Sequence, residues 1–396
     1  MINKKMQALG AKRSVIRELF EYGKIRKAQI GEENVFDFSL GNPSVPSPSS
    51  VNENLVRLIN EQDSITLHGY TSAQGDMGVR SAIADYITKT QGFKVDKDDL
   101  YMTVGAAAAL TCSLTAVVNK GEEVMVLAPY FPEYKVFIER FGGVVREVLC
   151  DTVTFQPDFE EIGKALNKNT SAIIINSPNN PTGAVITEEN VVKLCDILSK
   201  AEKEYNHPIY IICDEPYREL VYDNVKVPYI PNYYKNTLVC YSFSKSLSIP
   251  GERIGYVLVP SIVDNAKEVY QAVCGAGRAL GFVCAPSLQQ KLLPYCLGQT
   301  ADISIYDTNR KLLLKELSSY GFKCVKPDGA FYLFVKAPNG DANEFSERAK
   351  KHEIIFVPSD DFGCAGYVRI SYCVKTEQIE RALPAFKALA KSYNLI

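Results

Sequence analysis

The sequence predicts an α/β protein: a large domain with a mostly parallel seven-stranded sheet covered by helices, plus a smaller α+β domain. Three observations point there. Seven short runs rich in β-branched residues lie between positions 100 and 259, helical patterns separate them, and the texture changes after about residue 287. Strands that alternate with helices form parallel sheets buried on both faces, which is why such strands read as continuous apolar runs.

The expected strands are Leu100–Val104, Glu123–Ala128, Val144–Leu149, Ala172–Asn176, Ile209–Asp214, Thr237–Ser242 and Tyr256–Val259. Between them, "AAAALTCSLTAVVNKG" reads as a helix running to Gly121. "TEENVVKLCDILSKAEKEY" reads as a helix capped by Thr187, with two glutamates facing its dipole. Further on, a helix near 301–320 should stop at Gly321, followed by strands at 331–335, 354–357 and 367–371. The last helix, "TEQIERALPAFKALAKSY", sets Ile379, Leu383, Phe386 and Leu389 on one face, and Pro384 should kink it. The first 45 residues are too few to bury a core alone. The expected division is therefore 46–287 for the large domain, with 1–45 and 288–396 forming a discontinuous small one. The proline-rich "GNPSVPSPSS" (41–50) lies at the crossing.

The 396 residues carry 44 Lys+Arg against 46 Asp+Glu, a balance that gives no bulk attraction to nucleic acid or anionic lipid. No apolar run is long enough to cross a membrane, and the N-terminus lacks the apolar core of a signal peptide. The 11 cysteines are odd in number, have no CxxC spacing and sit in apolar runs. They read as buried thiols in a reducing, cytoplasmic compartment. His68, His207 and His352 are far apart, so neither a metal centre nor a histidine acid–base pair is expected.

The chemistry concentrates in "VCYSFSKSLSIPGERIGYVLVP" (239–260). There a predicted strand ends in a serine-rich turn holding Lys245, and Arg253 follows eight residues later. Burial at a strand end lowers an amine's pKa, as Schiff-base chemistry requires. Ser242, Ser244 and Arg253 could gather around one phosphate. "GAGRALG" (275–281) imitates half of a dinucleotide fingerprint, but it follows a helical segment and lacks the strand such a site needs.

"SPNNPTG" (177–183), "CDEPY" (213–217), "SFSKSLSIPGERIGY" and "YVRISY" (367–372) occur in the order of the signatures of class I/II aminotransferases, the aspartate aminotransferase superfamily of fold type I. "SLGNP" (39–43), "YTSAQGDMGVR" (70–80), "VGAAAAL" (104–110) and "PDGAFYLF" (327–334) also fit, so the chain resembles that family over nearly its whole length.

The resemblance implies pyridoxal 5'-phosphate as cofactor, and amino acid and 2-oxo acid substrates handled by a ping-pong mechanism in amino acid metabolism and biosynthesis. It implies Lys245 as the Schiff-base lysine and proton carrier, Asp214 on the pyridinium nitrogen, and Tyr217 and Asn180 on the phenolic oxygen. Phe131 would stack on the ring, with Tyr130 as the fallback. The phosphate would be held by Gly105, Ala106, Ala107, Ser242, Ser244 and Arg253. Tyr70 would reach it from the other subunit of a homodimer. Arg369, Gly41 and Asn180 would bind the substrate α-carboxylate.

Two positions depart from the family pattern. Ser359 stands where the family often has glycine, and Ala107 where some aspartate aminotransferases have lysine. Arg278 lies in about the region where others place an arginine for a side-chain carboxylate. The resemblance leaves aspartate-type and broad specificity open. It also leaves open C–S β-lyases and aminocyclopropane-carboxylate synthases, which share the cofactor residues, and more remotely a non-catalytic cofactor-binding regulator.

Overall fold

The computed structural model describes residues 1–11 and 14–396. Its large sheet has seven strands: β1 (Leu100–Thr103), β2 (Glu123–Ala128), β3 (Val144–Leu149), β4 (Thr170–Asn176), β5 (Tyr210–Asp214), β6 (Thr237–Ser242) and β7 (Gly255–Leu258). Their order is β1-β7-β6-β5-β4-β2-β3. All neighbours run parallel except β7, which is antiparallel to both β1 and β6. The expected mostly parallel sheet is present, with β2, β3 and β6 at the bounds read from sequence.

Residue alternation splits the sheet between two cores. Val124, Val126, Ile174, Ile212, Leu238 and Val257 face one side, where Leu110, Cys112 and Leu114 of helix Ala106–Val117 meet them. Met125, Ile173, Ile175, Ile211 and Val239 face the other, with Leu194 and Leu198 of helix Glu188–Tyr205. Fully burying each such aliphatic side chain contributes about 1.5–3 kcal/mol relative to leaving it exposed. Thr187 caps the second helix by accepting from the Asn190 amide at 3.3 Å. The first helix ends at Val117, not at Gly121: Val118 turns to extended backbone, and Gly121 serves the turn into β2.

A second body of apolar side chains surrounds a four-stranded antiparallel sheet, ordered Val357–Pro358, Tyr367–Ser371, Tyr332–Lys336 and Cys324–Val325. Phe38 and Val45 from the N-terminal segment join this core. Phe36–Asp37 also pairs in parallel with Ile354–Ile355, so the expected strand at 354–357 is divided between two sheets. The helix expected near 301–320 spans Ser304–Ser319. The last helix runs from Thr376 to Ser392 with Pro384 inside it. Its buried stripe is Ile379, Ala382, Phe386 and Leu389; Leu383 is only partly covered. Helix Ser287–Cys296 buries Leu292, Leu293 and Cys296 in the larger core. Eight of the cysteines are buried. "GAGRALG" lies in and just after helix Ala266–Leu280. No helix among the described residues is long and apolar enough to cross a membrane.

Candidate active site

Because β4, β5 and β6 are parallel neighbours, their carboxyl ends place Asn176, Asp214 and Ser242 side by side. A cavity of about 460 Å³ opens there, closed on another side by Gly41, Tyr332 and Arg369 of the second body. Ligands of parallel α/β sheets bind at this edge.

The chain leaves β6 through the helical turn Phe243–Ser246, capped by Ser242, whose Oγ accepts from the Ser244 amide at 3.2 Å. That turn carries Lys245 into the cavity. Its Nζ donates to the Gly41 carbonyl at 2.8 Å and lies 5.4 Å from the centre of the Phe331 ring. Burial, helped by the nearby Arg253 and Arg369 charges, brings its pKa down to about 8. The free amine is therefore far more accessible near neutrality than that of an ordinary lysine.

Asp214 is 6% exposed. Its Oδ2 accepts from the Tyr134 hydroxyl at 2.5 Å, and its Oδ1 has no partner. Burial pushes its pKa up to about 7, against the pull of the Tyr134 hydrogen bond. Asn176 braces the floor: its Nδ2 donates to the Asp214 carbonyl at 2.8 Å and its Oδ1 accepts from the Asn180 amide at 2.7 Å. Tyr217 and Tyr332 share a hydroxyl contact of 2.8 Å.

Arg369 lies on the strand Tyr367–Ser371 and is 2% exposed. One Nη donates to Asn180 Oδ1 at 3.0 Å and the other to the Ser39 carbonyl at 2.6 Å, while Nε has no partner. Its guanidinium sits 4.7 Å from the Tyr332 ring centre and 5.3 Å from that of Phe362. Among the described residues no carboxylate pairs with it, and burial lowers its pKa. An uncompensated buried charge is costly, so such a fork is made for an anion that arrives.

On the opposite side, Gly105 precedes helix Ala106–Val117 with φ +85°, and a Cβ there would lie 2.9 Å from Arg253 Nη2. Glycine thus lets the arginine lie against the helix N-terminus, an anion-binding position. The Ser242 and Ser244 hydroxyls are 2.8 Å apart, and both residues line the cavity with Ala106, Ala107 and Arg253.

Of the residues singled out from sequence, Gly41, Ala106, Ala107, Phe131, Asn180, Asp214, Tyr217, Ser242, Ser244, Lys245, Arg253 and Arg369 line this one cavity. Gly105 lies beneath Arg253. Tyr70 is 97% exposed and Arg278 is exposed, and neither is on the wall within one protomer. The fallback Tyr130 is displaced from the role considered for it: its hydroxyl goes to Glu147 at 2.9 Å, and Phe131 faces the cavity instead. Ser359 is fully buried, and its hydroxyl spans its own loop, donating to the Cys364 carbonyl at 2.5 Å and accepting from the Tyr367 amide at 3.0 Å. Tyr134, Asn176, Tyr332 and Arg17 were assigned no role from sequence. The aromatic cluster "APYFPEY" is the one signal that could have drawn attention to Tyr134.

The sequence profile of the family described as aminotransferase class I and II matches residues 33–386. The chain belongs to that family. It is a pyridoxal-phosphate-dependent aminotransferase. It is 31% identical over 382 residues to an aspartate aminotransferase of Pyrococcus horikoshii, covering 94% of this chain and 93% of that one. It is also 29% identical over 396 residues to aromatic-amino-acid aminotransferase 2 of Thermococcus litoralis, covering 97% of each. The crystal structure of an aminotransferase from Eubacterium rectale superposes with a TM-score of 0.98 at 55% identity, covering 100% of this chain and 99% of that one.

The cavity of this aminotransferase fits the cofactor on its own features. An unpartnered carboxylate oxygen suits a ring N–H⁺, a lysine with a lowered pKa suits an aldehyde, and an arginine beside a helix N-terminus suits a phosphate.

Proposed function

We propose that Lys245, Asp214 and Arg369 divide the work of transamination between an amino acid and a 2-oxo acid. The observation that carries this reading is the pair of buried, unsatisfied groups, Asp214 Oδ1 and Arg369 Nε, in the cavity that also holds a lysine poised near pH 8. When bound, the cofactor supplies an aldehyde for amines and a ring that draws electrons from the bonds at the substrate Cα. Asp214 keeps the ring nitrogen protonated. Asn180 and Tyr217 hold the phenolic oxygen, and Phe131 covers a ring face. Ser242, Ser244, Arg253 and the amides from Gly105 to Ala107 take the phosphate. The freed Lys245 amine would take the proton from the substrate Cα and deliver it to the cofactor carbon two atoms away, across the amino nitrogen. Arg369 holds the α-carboxylate beside Gly41 and fixes the orientation.

The remaining wall combines apolar side chains, Ile16, Leu40, Leu110, Phe131 and Phe137, with one further cation, Arg17, and with Glu133. Such a mixed wall favours broad specificity, acidic side chains included; Arg278 would have to come from a second protomer. A homodimer is part of this reading. Tyr70, Ile65 and Met77 leave large side chains exposed over one short stretch, and Tyr70 would complete the partner's phosphate site. We also read the smaller domain as residues 1–45 with the chain beyond 287, its border adjusted so that helix Ser287–Cys296 stays with the large one. Eleven unpaired thiols favour a cytoplasmic setting.

The decisive experiment adds single amino acids to holoenzyme without a second substrate. Each productive donor should release one equivalent of its 2-oxo acid per site, and a different 2-oxo acid should then recover the stored amino group. Arg369→Lys should lower kcat/KM for donors about tenfold to a hundredfold, since a point charge replaces a fork. Ammonia and pyruvate released from cysteine or cystathionine, with no amino group stored, would refute transamination in favour of β-elimination.

A further inference from the structure

Asp214 is held by a residue outside the cofactor set. Tyr134 is buried, stands three positions after the cavity residue Phe131, and its amide donates to the Phe131 carbonyl at 3.0 Å. Its ring is stacked with Tyr130 at 6.4 Å and meets Phe131 edge-on at 5.8 Å. The turn before it is tied down by the Tyr130 amide, which donates to the Phe362 carbonyl at 2.9 Å. The hydroxyl is thus delivered to one point, 2.5 Å from Asp214 Oδ2.

The other titratable groups around Asp214 are Tyr217, Cys213 and Cys240. Burial raises the pKa of all three, and of Tyr134 itself, so each keeps its proton near neutrality. Tyr134 is the side chain that hydrogen-bonds the carboxylate among the described residues. An O–H donor stabilises the ionised form against desolvation. Anchoring Oδ2 also decides which oxygen remains free.

We propose that Tyr134 is the positioning residue for Asp214: it keeps the carboxylate ionised and turns Oδ1 toward the cofactor ring nitrogen. This rests on the assignment of Asp214 to that nitrogen. The alternative is that Tyr134 merely fills the core beneath Phe131.

A double-mutant cycle separates the two. Cofactor-free protein is dialysed to equilibrium against pyridoxal phosphate for wild type, Tyr134→Phe, Asp214→Asn and the double variant. The phenylalanine variant loses one oxygen, so the packing is retained. Tyr134→Phe should weaken binding about tenfold in the wild-type background. In the Asp214→Asn background it should change binding less than about twofold. An equal loss in both backgrounds, or none in the wild type, overturns the proposal while leaving Asp214 in place. No loss in Asp214→Asn alone overturns the Asp214 assignment and this inference with it. Infrared spectra of the cofactor-free protein at pH 7 give a second readout. The protonated-carboxyl band that Asp214→Asn removes should grow in Tyr134→Phe, and an unchanged band counts against the proposal.

Discussion

On the floor of the cavity, Asp214, Asn180, Tyr217 and Arg369 are each 6% exposed or less, and every one is fixed by partners from its own chain. Around the expected phosphate position, Arg253 is exposed, and the tyrosine meant to join it is 97% exposed. The floor is preorganised: its charges are already desolvated and lack only the ligand. On the phosphate side Ser242 and Ser244 are buried as deeply, Arg253 stays open, and in the proposed dimer a second chain would complete the site. Burial therefore supplies reactivity in one region, while on the proposed reading assembly would supply affinity in the other.

That contrast can be broken at several points. The largest effect belongs to Lys245, where the two regions meet. Lys245→Ala should cut the half-reaction rate by about 10²–10⁴-fold, the usual share of a positioned base, read by single-turnover release of 2-oxo acid. Next comes assembly. Tyr70→Ala should weaken pyridoxal phosphate binding about tenfold to a hundredfold. Mixing it with Lys245→Ala, at a cofactor concentration too low to load Tyr70→Ala, should raise activity above that of either variant alone, because a hybrid dimer then holds one intact composite site. If no activity returns from a mixture shown by native mass spectrometry to contain hybrids, the shared site is wrong.

A smaller effect tests the floor by pH. Folding raises the Asp214 pKa to about 7, so between its ordinary value and pH 7 the native state holds a proton that the unfolded chain releases. Stability from this group is present in acid and lost as pH rises through 7. Cofactor-free Asp214→Asn should thus be more stable than wild type by about 2–4 kcal/mol at pH 8, converging toward pH 4 in urea titrations. The smallest effect concerns the outer wall. Arg17→Gln should lower kcat/KM for glutamate or aspartate about threefold to tenfold, with aromatic donors unaffected, because exposed charges are screened.

Local pattern accounts for what the sequence made legible. Strands β2, β3 and β6 are β-branched runs bounded by turn residues, and their ends were read at the right positions. The Thr187 cap was equally local. The insertion of antiparallel β7 between β1 and β6 was not legible, because pairing partners 150 residues apart leave no mark on periodicity. Leu383 was overestimated because the stripe shifts to Ala382, a small residue that packs close. Within the site, signatures located residues that line the cavity. Tyr134 and Asn176 escaped because their work is done on Asp214 and Asn180, across a fold that has first to be built.

The bond from Lys245 Nζ to the Gly41 carbonyl makes the cavity self-reporting. Whenever that amine is engaged elsewhere, the carbonyl loses a charged donor and its stretching frequency should rise. A single ¹³C label at Gly41 would then count loaded and unloaded subunits during turnover, from the protein's side of the reaction.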